Sequence, residues 1–328
     1  MSWFRWWVFG VLVTTLLGTP VHDIGGDALW VTGYNQYFQL GDTVTDDTFR
    51  EIALPENCLI KQIYTNPTVK RTFLHCVDGR LFVAGSNDHG ELCLGTKTDG
   101  APFTQLTLPD GKTLKGVATG SDQTILWMTD DSLYACGLNS WKVIFPSGQP
   151  NWLLSPTLLT SAALPANRTI VQMQVGSGSA VLRLDNGDLY GIGSNNNGAI
   201  GLGFTTASTS EITQIPLPTG RTATAIAMTL TNLAVILDDG SLATCGYGLY
   251  GSNGDGTTTI RYSLAKVALP GTGRRAASLM SGGYGLFVCS TDAFLNNPHI
   301  PLPTHHRRHQ CDRAQQFWQE GTANASSR

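Results

Sequence analysis

Apolar positions along this chain fall in short runs of four to six residues, broken by turn formers, and not at the three-to-four spacing of an amphipathic helix. Residues 181–184 and 189–192 are two such runs flanking Asn186-Gly187, a dipeptide suited to a two-residue type I′ hairpin turn, whose two central residues both need positive φ. The run that follows carries glycine at 193, 198, 201 and 203, too many for a helix. The stretch predicts a β-hairpin feeding a glycine-rich loop.

That unit recurs. The turn returns as Asp78-Gly79, Asp130-Asp131, Asn186-Gly187 and Asp239-Gly240. The glycine closing the second run returns at Gly33, Gly85, Gly137, Gly193 and Gly246, in steps of 52, 52, 56 and 53 residues. A Leu-Pro pair follows each, at 54–55, 108–109, 164–165, 217–218 and 269–270. Three markers sharing one period, built from short strands and turns, predict an all-β propeller of stacked blades. Each full repeat is expected to give four strands. For the second these are read near 114–118, 124–128 and 132–136, with 103–108 as the fourth. The Leu-Pro pair is assigned to an outer edge, because proline cannot donate to an interior ladder.

The two ends are complementary. Residues 26–55 supply only the second half of a repeat and residues 274–292 only the first half, with four full repeats between. Joining the halves removes an exposed strand edge, so about five blades are expected, the closing one shared by the two ends. Residues 21–292 are thus the propeller. Residues 1–20 differ in kind: Arg5 and three tryptophans precede an apolar run at 8–17, the pattern of a secretory signal peptide. That run is shorter than the ~20 residues of a membrane span, so no span is expected after cleavage. An uncleaved anchor and a packed apolar strand are the alternatives. Residues 293–328, rich in His, Arg and Gln, read as a polar, unstructured tail.

Charged residues are only 14%, against roughly 25% in typical soluble domains, and glycine numbers 37. This suits turns and short strands and argues against disorder. The net charge of −3 gives no nucleic-acid footprint. Seven cysteines are present without a C-x-x-C pair. Cys136 and Cys245 stand just before a closing glycine, where they read as small apolar core residues. In a secreted chain some cysteines would pair, and the odd count leaves at least one free or intermolecular.

The loop pattern Gly-x-Asn-x-x-Gly-x-Leu-Gly-x-Gly resembles the repeat of the regulator of chromosome condensation family. It is seen at Gly85-Ser86-Asn87 with Gly90, Leu92 and Gly95, and at Gly193-Ser194-Asn195 with Gly198, Ile200, Gly201 and Gly203. Gly33-Tyr34-Asn35 with Leu40-Gly41 is a third copy, and Gly246-Tyr247-Gly248 a looser one. The resemblance covers about residues 26–292 and implies a β-propeller. Family members usually have seven blades, against the five counted here. The family's functions include nucleotide exchange on the Ran GTPase and, in secreted propellers, binding and inhibition of a partner protein. The exchange function needs a wedge insertion that this sequence does not display.

Candidate chemistry is sparse. Gly246-Tyr247-Gly248-Leu249-Tyr250-Gly251 satisfies G-x-G-x-x-G but lacks the following helix that would hold a phosphate. No phosphate loop, nucleophile elbow or H-E-x-x-H occurs, so neither catalytic residues, cofactor nor metal is expected, and the chain reads as non-enzymatic. His305, His306, His309 and Cys311 lack paired ligand spacing. The repeated turn carboxylates are explained by turn chemistry. The candidate contact site is the irregular loop after Gly137, where Trp141, Ile144, Phe145 and Trp152 replace glycine and small polar residues. They are either interface anchors or a cover over a blade face. The expected partner of this monomeric chain is another protein, in a secreted or cell-surface setting. The alternative is a cytoplasmic or nuclear scaffold, or an exchange factor for a small GTPase. Asn167-Arg168-Thr169 and Asn324-Ala325-Ser326 are glycosylation sequons, meaningful in a eukaryotic secretory protein.

Overall fold

The computed structural model describes residues 27–65, 70–139, 151–159, 164–204, 208–283 and 285–292. The expected signal peptide and polar tail therefore lie outside the described residues, as do Trp141, Ile144, Phe145 and the sequon at Asn324. The described chain is all-β. β1 (Leu29–Gly33) and β2 (Asp46–Ile52) form a two-stranded sheet, and four antiparallel four-stranded sheets follow. The first is β3 (Ile60–Tyr64), β4 (Arg71–Cys76), β5 (Leu81–Gly85) and β6 (Gly100–Leu106). The second is β7 (Leu114–Thr119), β8 (Gln123–Met128), β9 (Leu133–Leu138) and β10 (Trp152–Leu159). The third is β11 (Ile170–Val175), β12 (Ser179–Leu184), β13 (Leu189–Ser194) and β14 (Ser208–Ile215). The fourth is β15 (Ala223–Met228), β16 (Asn232–Leu237), β17 (Leu242–Gly246) and β18 (Arg261–Val267). β19 (Arg274–Gly282) and β20 (Gly285–Asp292) close the order. Among the described residues, no helix is long and apolar enough to cross a membrane.

Strands pair in sequence order within each sheet, and the first strands of successive sheets touch one another, which places them innermost. The core is partitioned between blades. Each of five apolar clusters straddles two consecutive sheets. β12 shows how: Ala180, Leu182 and Leu184 face the second blade, while Val181 faces the fourth. A strand buried on both faces tolerates no polar alternation, which is why these runs read as continuous apolar stretches.

Polar ties cross the same seams. Gln172 of β11 donates from Nε2 to the Ile226 carbonyl at 2.6 Å, and its Oε1 accepts from the Ile226 amide at 3.1 Å. The recurrent closing glycine has a steric cause. Gly85, Gly137 and Gly246 have φ of 121°, 107° and 116°, and a Cβ there would run into the carbonyls of Lys70, Asp122 and Thr231 respectively.

Two expectations are corrected, and a third is not met among the described residues. The hairpins are not two-residue type I′ turns. Only the third loop residue has positive φ (Gly79 88°, Asp131 61°, Gly187 85°, Gly240 76°), and its amide bonds back three residues, as from Gly187 to the Leu184 carbonyl at 2.9 Å. This is a three-residue type I loop with a left-handed bulge. The side-chain oxygen at the second loop position accepts from the amide two residues on: Asp78 from Arg80, Asp130 from Ser132, Asn186 from Asp188 and Asp239 from Ser241. That bond explains the Asp/Asn choice.

Residues 100–106 are the outer strand of the first blade; the second blade's fourth strand is β10. The Leu-Pro pairs lie just beyond the outer strands, where Pro55, Pro109 and Pro218 accept from Cys58, Lys112 and Arg221 to open the turn to the next blade.

Finally, the fifth blade shared by residues 26–55 and 274–292 is not joined among the described residues. β1–β2 and β19–β20 are separate two-stranded sheets. Leu29, Val31 and Ile52 pack on the first full blade, and Leu279, Leu286 and Val288 on the fourth. Each half is thus held by its neighbour, while Trp30 (58% exposed), Phe49 (72%) and Phe287 (57%) remain open to solvent.

Candidate functional site: the loop rim

Antiparallel pairing puts the hairpin turns and blade-to-blade connectors at one end of the strands. The loops joining third to fourth strands lie at the other. The turn end is laced by ion pairs, Lys112–Asp130, Lys115–Asp131 at 2.9 Å and Lys266–Asp239 at 2.8 Å among them. The loop end is where aromatic side chains collect.

Each of the four described loops is built around one buried asparagine. Asn87 accepts from the Leu92 amide at 2.8 Å and donates to the Thr96 and Thr98 carbonyls at 2.9 and 3.0 Å. Asn35 does the same toward Leu40, Asp42 and Val44. Asn195 bonds Ile200 and Phe204. In the fourth blade Gly248 stands at that place, and Asn253 takes over, donating to Gly246 and Thr259. The loop then reaches the outer strand of the following blade: Gly95 N–H bonds the Leu154 carbonyl at 2.8 Å and Gly203 N–H the Tyr262 carbonyl at 2.7 Å. At Gly198 a Cβ would overlap the Arg261 carbonyl. The glycines serve this close approach.

Cys93 occupies the place held by Gly41, Gly201 and Gly254 in the other loops, with φ of 61°. It is disulfide-bonded to Cys136 of the second blade across a Cα–Cα distance of 5.5 Å, and Cys58 to Cys76 across 5.3 Å. Cys289 is also disulfide-bonded. Reading Cys136 as a plain core residue was thus incorrect. Cys245 keeps that role, buried and free. Beside the disulfide, Arg71 of β4 bonds the Gly120 carbonyl at 2.8 Å and the Ser121 carbonyl in the next blade, and lies 3.1 Å from Glu91. Burial lowers the Arg71 pKa and the Glu91 charge opposes that shift. His89, Glu91 and Asp122 bring three ligand-type atoms together, His89 Nδ1 lying 3.5 Å from Glu91 and 4.0 Å from Asp122. The buried carboxylate of the three is already paired with Arg71 at the blade seam.

Trp152, the described member of the predicted contact site, opens β10 at this rim. It is 44% exposed, with Lys97 Nζ 3.3 Å from its ring centroid. Tyr34, Phe204 and Tyr250 (86% exposed) project from neighbouring loops, and Lys70 lies 3.7 Å over Tyr37. Sequence reading missed Lys97 and the Arg71–Glu91 pair, for which no motif exists. A cysteine at a glycine place, one repeat ahead of Cys136, was a signal for the disulfide.

No family model matches the sequence. It is 27% identical over 164 residues to the X-linked retinitis pigmentosa GTPase regulator of Canis lupus familiaris, spanning 47% of this chain and 16% of that protein. It is 28% identical over 201 residues to the ultraviolet-B receptor UVR8 of Arabidopsis thaliana, spanning 61% of this chain and 44% of that one. The chain thus spans less than half the length of either relative. Human WBSCR16 superposes with a TM-score of 0.69 at 18% identity, over 80% of this chain and 67% of that one. Prp20p from Saccharomyces cerevisiae, a protein described with its binding to Gsp1p and histones, gives 0.65 at 16%, over 85% and 63%. With the repeat, the blades and these likenesses in agreement, the chain has the fold of the RCC1-like β-propellers.

Proposed function

We propose that this chain is a non-enzymatic, monomeric propeller that binds another protein through the loop rim. The supporting observation is the contrast between its two ends. Exposed aromatic side chains gather at one end, Tyr34, Phe204 and Tyr250 on loops held by buried asparagines and Trp152 at the start of β10, whereas charges at the other are spent on one another. Rigidly presented aromatic anchors lose little entropy on binding. A secreted or cell-surface setting is supported by the apolar start at residues 8–17 and by the disulfides, which persist in oxidising compartments.

The test is affinity capture with the intact chain from culture medium. Trp152→Ala should lose the partner while keeping its thermal midpoint, and Asp130→Asn on the opposite rim should retain both. Equal capture by all three chains would remove the reading. A second reading, an intracellular scaffold or exchange factor for a small GTPase, draws on the likeness to Prp20p, whose described binding includes Gsp1p. Cytosolic protein retaining residues 1–20 would favour it.

A further inference from the structure

In four of the five Leu-Pro-x connectors the next residue is left-handed: Asn57 at 59°, Gly111 at 69°, Asn167 at 66° and Gly220 at 70°; after Leu269-Pro270 the left-handed residues are instead Gly271 and Gly273, at 97° and 72°. A Cβ built on Gly111 or Gly220 meets nothing within 4 Å. A side chain at this place therefore leaves the fold into open space. The left-handed conformation accounts for Asn or Gly there, and the residue two positions on is needed only for its carbonyl, as where Thr169 accepts from the Asp185 amide at 3.0 Å. Only in the connector to the third blade do Asn and Thr coincide with that spacing, as Asn167-Arg168-Thr169, and all three residues are exposed. Among the described residues the Asn167 side chain makes no hydrogen bond.

We propose that Asn167 is an N-glycosylation site, an inference that rests on the secretory reading above. The Asn167 amide nitrogen would attack C1 of the first sugar of a lipid-diphosphate-linked oligosaccharide. A C–N bond forms, the bond from C1 to the diphosphate oxygen breaks, the lipid diphosphate leaves, and the amide gives up one proton to the transferase's base. The geometry meets what such a substituent requires: a side chain clear of its neighbours, with no fold-holding bond to break. It also places the glycan at the hairpin-turn end, away from the loop rim, so a bulky sugar leaves Trp152 and Tyr250 accessible.

The experiment expresses the full chain in eukaryotic secretory cells and separates medium from cytosol. The medium fraction is treated with an amidase that releases N-linked glycans and is then mapped by peptide mass. The expected result is secreted protein whose residue 167 reads as Asp after release. Asn167→Gly, which reproduces the turn of Gly111 and Gly220, and Thr169→Val should each be secreted, fold with an unchanged thermal midpoint and lose that signal. Secreted wild-type protein with unmodified Asn167 overturns the glycan site and leaves the secretory reading intact. Cytosolic protein still carrying residues 1–20 overturns both.

Discussion

Arg71 and Glu91 meet at 3.1 Å where the first full blade abuts the second, with both side chains almost wholly buried. The guanidinium spans the seam, since its Nη2 also bonds carbonyls at Gly120 and Ser121. Removing one member of a buried pair strands the other, which typically costs about 3–5 kcal/mol, whereas replacing both with apolar residues costs far less. Arg71→Leu should therefore lower stability by about that amount. Arg71→Met combined with Glu91→Leu should recover most of it. Denaturant midpoints of the two variants provide the check, and a double variant no better than the single would show that the carbonyl contacts dominate.

The repeat was legible because each marker has one physical cause reused at every blade. Gly85 and its counterparts make room for a carbonyl, and Asp78, Asp130, Asn186 and Asp239 cap a turn. Turn type was not legible from Asn186-Gly187, since that dipeptide also suits a three-residue loop whose first residue is Asp185. Fourth strands were misassigned because residues 103–106 and 152–159 are separated from their own hairpins by long loops, and periodicity alone does not say which blade receives them. At the rim, Trp152 was identifiable as an aromatic among turn residues. Its partner Lys97 lies in the preceding blade and becomes adjacent only when that blade's loop folds over β10.

The Cys93–Cys136 disulfide ties that loop to the second blade, closing a chain segment with a sequence separation of 43. Native disulfides of this kind contribute typically 2–4 kcal/mol. Cys93→Gly with Cys136→Ala should cost about that much, the glycine being what Gly41 and Gly201 supply elsewhere. Reductant should lower the thermal midpoint of the wild type and have a smaller effect on the variant, which still contains Cys58–Cys76. An equal response in both proteins would assign the stability to the remaining disulfides, Cys58–Cys76 and that of Cys289.

Acid should act on the hairpin turns of the first, second and fourth four-stranded blades and spare that of the third. The backbone amide of Arg80 holds the Asp78 pKa below the usual carboxylate range; hydrogen bonds from Lys112 and Lys266 do so for Asp130 and Asp239. Carboxylates with depressed folded-state values bind protons more readily when unfolded. Their contribution is present above about pH 4 and is lost as pH falls through the lower folded values. Asn186 makes the same turn bond without titrating. Converting Asp78, Asp130 and Asp239 to Asn should keep the turns, since exposed ion pairs contribute little, and flatten the fall in thermal midpoint between pH 5 and pH 2.5. An unaltered slope would mean that other carboxylates govern the acid limb.

Cys245 gives the opposite pH dependence. Burial among Gly201, Leu264 and the surrounding core pushes its thiol pKa up to about 12, against about 8.5 for a free thiol, so the thiolate is nearly absent near neutrality. A thiol-alkylating reagent at pH 8 should leave the native protein unmodified at this residue and label it on unfolding. The raised value also sets a sign: the unfolded chain ionises first, so this contribution is complete below about pH 8.5 and is lost as pH rises toward 12. Cys245→Ala should be less stable at pH 7, because it empties volume in the seam between the third and fourth blades, yet should lose less stability than the wild type between pH 8 and pH 10. Native-state labelling as fast as in denaturant would show that the seam opens readily, and the blades would then be far less firmly packed than their shared apolar clusters require.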